Sequence, residues 1–273
     1  MEKNKKITVS IVSVILVIAV AAGIIGIILH QQTTRYNTLM AEVASINEIT
    51  SAEYASNIDR EQLNELLDRR VTNGKYGEVE NAFKNYMADL YQIVYDAADA
   101  SSDESFATFL SPDNIAQDGP AFENSRTTIE ELMTRLETDK ENYLQMTGGN
   151  AIGSYADRAD LSGRYREMYD TILSAHKAIG EAGGDEFTQA IDAAIAKLAA
   201  TDDVFEFLNE NQNGWYMEDG TLKFRTEALY NDYSKLMESI SLNTISGNKL
   251  SDHIYAGNEK IEQYHTHNAV QIL

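Results

Sequence analysis

Apolar residues recur at helical spacing along most of the chain. From Glu78 onward, Val79, Phe83, Met87, Leu90 and Val94 step by four, four, three and four, which places them on one face of a helix running to about Ala100. A second stripe carries Phe122, Ile129, Leu132, Leu136 and Tyr143. Pro120 is suited to its first turn, Asp118 or Gly119 to its cap, and Gly148-Gly149 to its end. A third joins Leu161, Tyr165, Met168, Ile172, His176 and Ile179, and stops at Gly183-Gly184. Asp185 then caps a fourth helix through Phe187, Ile191, Ile195 and Leu198. A fifth, from about Thr226 to Ser241, aligns Leu229, Tyr233, Leu236 and Ile240.

Two segments depart from this rhythm. Residues Ser101 to Gly119 are polar, apart from Phe106, Phe109 and Leu110. Trp215, Tyr216 and Met217 are separated from Leu222, Lys223 and Phe224 by Glu218-Asp219-Gly220-Thr221, and an Asp-Gly pair between aromatic runs signals a β-hairpin. Shorter patterns precede the strong helices. Tyr36, Leu39, Val43, Ile46 and Thr50 follow a heptad seam for only two heptads, and Leu63, Leu66, Leu67 and Val71 mark a helix after Asp59 that stops at Asn73 and Gly74.

The segment Ile7 to Leu29 is of another kind, with 23 residues and no charge. As a helix it is roughly 34 Å long, enough to cross a hydrocarbon core of about 30 Å. Lys3, Lys5 and Lys6 precede it, a basic flank that normally stays in the cytoplasm, so the remainder is expected outside. The rival is a cleaved signal peptide, because Ala19-Val20-Ala21 forms an A-x-A triplet. The apolar run continues through Leu29, which favours a retained anchor. A pilin-like subunit is disfavoured by the lack of an acidic residue early in that run.

These patterns predict a mainly α protein: a basic tail at 1–6, a transmembrane helix at 7–29, a juxtamembrane helical stalk at 30–75, and an extracytoplasmic antiparallel helical bundle at 76–242 with a hairpin at 214–224. A polar, partly disordered tail at 243–273 completes it. Each apolar stripe needs a partner to hide it from water, and the presence of only two Pro agrees with a helical body.

Composition narrows the function. The chain of 273 residues has 22 basic and 43 acidic side chains and no Cys. Setting aside the three Lys and one Glu of the first six residues leaves 19 basic against 42 acidic, a charge of −23 that repels nucleic acid and anionic lipid surfaces. The expected counterparts are cations, or basic or neutral partners. Lipid attachment through cysteine is excluded, as is a disulfide scaffold.

Candidate chemistry is sparse. His265 and His267 flank Thr266 and share one face only in an extended strand, where His253, Glu259 and Glu262 are near enough in sequence to join a metal site. His176 on an apolar stripe suits a pH sensor or general base, or a core-edge histidine with a bonded nitrogen. Asn209, Asn211, Asn213 and Gly214 match the first half of a calcium loop, but the closing position is Gly220 rather than Glu, which favours a polar turn feeding the hairpin. Acidic pairs such as Asp103-Glu104, Glu130-Glu131 and Asp202-Asp203 suggest a glycosidase dyad only if the fold sets their separation. GGNAIG at 148–153 follows a helix rather than a strand, so it is no phosphate loop.

Tyrosine is abundant, 15 residues against 8 Phe and 1 Trp, and suits core edges or contact surfaces. Exposed aromatics at Trp215, Tyr216 and Phe224 would make the hairpin a partner surface.

The expectation is therefore a single-pass protein of the cell membrane, held in the bilayer by residues 7–29. Its outer helical domain works without catalysis or cofactor, as a binding, adaptor or structural component with a protein partner. The alternatives are a sensor or carrier holding a small ligand or cation in the bundle interior, and a surface hydrolase using a metal at His265 and His267.

Overall fold

A computed structural model describes residues 33–50 and 58–246. The run at 7–29, the basic tail before it, and His253, His265 and His267 lie outside the described residues. Among those that are described, no helix is long and apolar enough to cross a membrane.

The protein is mainly helical and bundle-like, with one two-stranded antiparallel hairpin. In chain order the elements are α1 (Thr33–Thr50), α2 (Arg60–Asp68), α3 (Gly74–Ser101), α4 (Ser105–Thr108), α5 (Pro112–Asp118), α6 (Glu123–Thr147), α7 (Gly149–Arg158), α8 (Gly163–Ile172), α9 (Ser174–Ala182), α10 (Glu186–Glu210), β1 (Trp215–Glu218), β2 (Thr221–Phe224) and α11 (Glu227–Ser246). They form two compact units. The first holds the described residues up to Ala98 together with Asp139–Thr188, and the second holds Asp99–Thr138 and the residues from Gln189 onward.

In the first unit the heptad-like stripe of α1 is buried: Tyr36, Leu39, Val43, Ile46 and Thr50 all lie in the core, as do Leu63 and Leu66 of α2. Asp59 caps α2, its side chain accepting from the Gln62 N–H at 2.9 Å; the helix ends at Asp68, short of the expected stop at Asn73 and Gly74, because Arg69 turns extended, and Gly74 opens α3 instead. The α3 stripe is buried as its spacing predicts, from Val79 through Val94. Beside it runs a buried ionic cluster. Lys84 Nζ lies 2.7 Å from Glu42 Oε1 on α1 and 2.9 Å from Glu80 Oε1 one turn earlier on α3.

Glu42 also accepts from Arg69 Nε at 2.9 Å. Glu80 accepts from the backbone N–H groups of Val71 and Thr72 at 3.0 and 2.8 Å, and from the Thr72 hydroxyl at 2.6 Å. Burial pushes both carboxyls up, but these donors outweigh it and hold Glu42 and Glu80 below the usual carboxylate range.

Three further expected boundaries moved. The helix expected to end at Gly148-Gly149 stops at Thr147, and Gly148 opens a further helix, α7, that buries Ile152, Tyr155 and Ala156. Its few apolar positions span too little sequence to show a period. The single helix expected through Leu161 to Ile179 is two, α8 and α9, broken at Leu173 (φ −97°, ψ 11°). There the Ser174 hydroxyl donates back to the Thr171 carbonyl at 2.8 Å. Most of the stripe is nonetheless buried, because α9 resumes on the same face.

The end of α9 follows the expectation. Gly183 is left-handed, and the Gly184 N–H reaches back to the Ile179 carbonyl at 3.1 Å. Asp185 caps α10, accepting from the N–H groups of Phe187 and Thr188 at 3.0 and 3.3 Å.

The third shift lies in the second unit, at Pro120. Instead of opening a helix it follows a cis peptide bond in a turn, and α6 begins at Glu123. Asp118 still caps that helix, accepting from the Ser125 N–H at 2.8 Å. The proline that does open a helix is Pro112, at the start of α5, where Ser111 accepts from the Asn114 N–H at 3.2 Å. Phe122 stacks on Phe205 with ring centres 4.5 Å apart, at the centre of this unit's core. The hairpin forms with the register that its Asp-Gly turn implies, Trp215 opposite Phe224 and Glu218 opposite Thr221, and both turn residues have positive φ. The last helix runs to Ser246, beyond the Asn243 at which the polar tail was expected to begin.

Candidate functional site

Along α6, Arg126, Ile129, Glu130, Met133, Thr134 and Glu137 recur every three or four residues and so share a face. In the second unit this face and the Ala199, Asp202 and Asp203 positions of α10 line an open groove of about 530 Å³. Ile129 is buried, Met133 and Ala199 are half-buried, and Glu130, Glu137 and Asp203 are exposed. The groove thus has an apolar floor with carboxylates at its rim.

Its one lining cation is already engaged. Arg126 grips Asp202 in a forked pair, Nε to Oδ1 at 2.8 Å and Nη2 to Oδ2 at 3.1 Å. Glu130, Glu137 and Asp203 have no such partner among the described residues, so the rim carries uncompensated negative charge. Of the acidic pairs visible in the sequence, Glu130 of the Glu130-Glu131 pair and both members of Asp202-Asp203 therefore line one groove. The third, Asp103-Glu104, serves a turn, where Asp103 accepts from the Ser105 N–H at 2.9 Å.

The hairpin aromatics are placed differently from one another. Trp215 is half-buried, donates from its indole N–H to the Leu208 carbonyl at 2.7 Å, and lies beside the Phe122 ring at 6.4 Å. Phe224 is buried against Tyr233, with ring centres 5.0 Å apart. Tyr216 is half-buried beneath the Arg225 guanidinium, which sits 5.1 Å from its ring centre. Trp215 and Phe224 thus fasten the hairpin to its own unit, and Tyr216 faces outward with a cation on it.

The calcium-like asparagines form a turn. The Asn211 amide donates to the Phe207 carbonyl at 2.8 Å, and the Asn213 carbonyl accepts from Arg225 Nε at 3.0 Å. Among the described residues no group of His, Asp and Glu is arranged to hold a metal ion.

In the first unit His176 is buried, its ring edge-on to Tyr86 at 5.5 Å, and burial pushes its pKa down to about 4. Among the described residues, its Nδ1 and the Tyr86 hydroxyl have no hydrogen-bond partner. Three other tyrosine hydroxyls are bonded, while that of Tyr95 is buried without a partner among the described residues. Tyr169 donates to the Ile152 carbonyl at 2.9 Å, Tyr143 to Asp185 at 2.7 Å, and Tyr155 to Asp89. The tyrosines are core components here, with Tyr86 and Tyr169 fully covered.

In the second unit Lys197 went unnoticed in the sequence. It sits on the Ala-rich helix α10 with its ammonium 5.6 Å from the Phe106 ring centre, and burial pushes its pKa down to about 7. It does not line the groove.

No protein-family model, curated protein or solved structure matches this chain.

Proposed function

We propose that the chain is a single-pass membrane protein whose outer helical body binds a protein partner at the cell surface without catalysing a reaction. The observation that carries the binding role is the groove of the second unit, where Glu130, Glu137 and Asp203 surround an apolar floor. Exposed carboxylates beside apolar surface combine long-range attraction with a desolvated anchor point, the usual division of labour at a binding surface. The tether rests on the 23 uncharged residues of Ile7 to Leu29 and the lysines before them.

Three measurements test the proposal. Protease added to intact cells should remove the body, and alkaline carbonate should leave the chain in the membrane pellet. Crosslinking on intact cells should then recover a discrete partner. Release by carbonate would overturn the tether, and turnover of a substrate by the purified chain with no partner recovered would overturn the binding role.

A second reading, a carrier of a small ligand, is favoured by the unsatisfied Tyr86 hydroxyl and His176 Nδ1 in the interior of the first unit. A buried polar atom without a partner costs free energy that a hydrogen-bonding ligand would recover. Thermal melts of the full chain in detergent across a panel of small polar metabolites test it, since a ligand of the native state raises the midpoint.

A further inference from the structure

The geometry points to a cationic, amphipathic helical segment of a partner protein as the occupant of the α6–α10 groove; this deepens the binding role proposed above and rests on it. Charge chooses the sign of the occupant. The rim carboxylates Glu130, Glu137 and Asp203 are exposed and unpaired among the described residues, while Asp202 is neutralised by Arg126. A second copy of this chain, itself at −21, would meet its own charge there.

The shape selects the rest. The walls are two helices, and residues on each recur at three and four positions, so the rim charges are spaced as residues on one face of a facing helix are. The floor at Met133 is half-buried and unbranched. A flexible thioether accommodates an apolar side chain inserted from above. A matching segment therefore presents one Leu-like residue flanked by Lys or Arg on the same face.

The test uses the full chain in a nonionic detergent, with its methionine methyl groups labelled for NMR and the Met133 signal assigned through Met133→Leu. The probe is an Ala-rich helical peptide carrying one Leu flanked by three Lys on one face. Its counterpart has Glu in place of Lys. The Lys peptide should shift the Met133 signal in a saturable manner, weaken with added salt, and lose about tenfold in affinity against E130K/E137K/D203K. The Glu peptide should leave Met133 unmoved.

The control E61K/D68K/E167K makes the same change of charge on exposed acids of the first unit, and should retain most of the affinity. Equal losses in both triple variants would show diffuse attraction to an acidic body and overturn the groove as the site. No shift at Met133 would overturn it as well. A partner crosslinked equally well to wild type and to E130K/E137K/D203K would remove the groove while leaving the surface-binding role standing.

Discussion

Lys84 Nζ lies 2.7 Å from Glu42 Oε1, and the two side chains, 42 residues apart in sequence, are both buried. The bond ties α1 to α3, while Arg69 and Glu80 bring in the connection after α2. Removing the ammonium leaves two carboxylates facing each other in a poorly solvated place. Lys84→Met should therefore destabilise the first unit by about 3–5 kcal/mol. Adding Glu42→Gln should recover part of the loss, because the remaining charge then keeps its own backbone donors. Denaturant midpoints of the full chain in detergent, followed by circular dichroism, check both.

Gly180 lies where α9 comes too close to neighbouring backbone for a side chain. A Cβ there would sit 2.4 Å from the Thr147 carbonyl oxygen and 2.9 Å from the Gly148 nitrogen. These are backbone atoms at the junction of α6 and α7, and they have no rotamer with which to move aside. Although alanine is the better helix former, Gly180→Ala should destabilise by about 1–3 kcal/mol. A rise in melting temperature would contradict this packing.

His176 predicts an acid-sensitive first unit. Its folded pKa, about 4, lies below the ordinary 6.5, so the unfolded chain takes up the proton first as pH falls. The contribution is fully present above pH 6.5 and is lost progressively down to pH 4, by about 3 kcal/mol at most. Glu42 and Glu80, held low, add a further loss below 4.5. His176→Gln should flatten the upper window and leave the lower one. Melting temperatures measured from pH 7.5 to pH 4 separate the two.

Trp215, the one tryptophan, closes the second unit by donating to the Leu208 carbonyl at 2.7 Å. Trp215→Phe keeps an aromatic ring beside Phe122 but removes the donor and part of the packed indole, at a cost of about 1–3 kcal/mol. If the hairpin is also a partner surface, Tyr216→Ala should weaken partner crosslinking while lowering the melting temperature less than Trp215→Phe does. Measuring both quantities on both variants separates anchoring from binding.

Much of the helical framework was legible because period and burial agree. From Val79 to Val94, and again at Ile129, Leu132 and Leu136, every expected inward residue is buried. The cap at Asp185 and the stop at Gly183-Gly184 were legible for the same local reason: each depends on residues within one turn. The hairpin belongs with them, since Asp219 and Gly220 supply the positive φ that its turn requires. Helix α7 and the break at Leu173 were not legible, because ten residues or one serine are too little sequence to show a change of period.

The candidate site behaved the other way. Glu130, Glu137 and Asp203 read as ordinary solvated acids, and Glu42, Glu80 and Lys84 as ordinary helix-face charges. What sets them apart is the distance between residues far apart in the chain and the solvent left between them. The sequence by itself determined where the helices and the hairpin run, because their signals are local and repeat at the period of the backbone. Only the tertiary structure decided which charges are paired in the interior and which stand open along a groove, because Coulomb energy and desolvation depend on positions in space that no local pattern encodes.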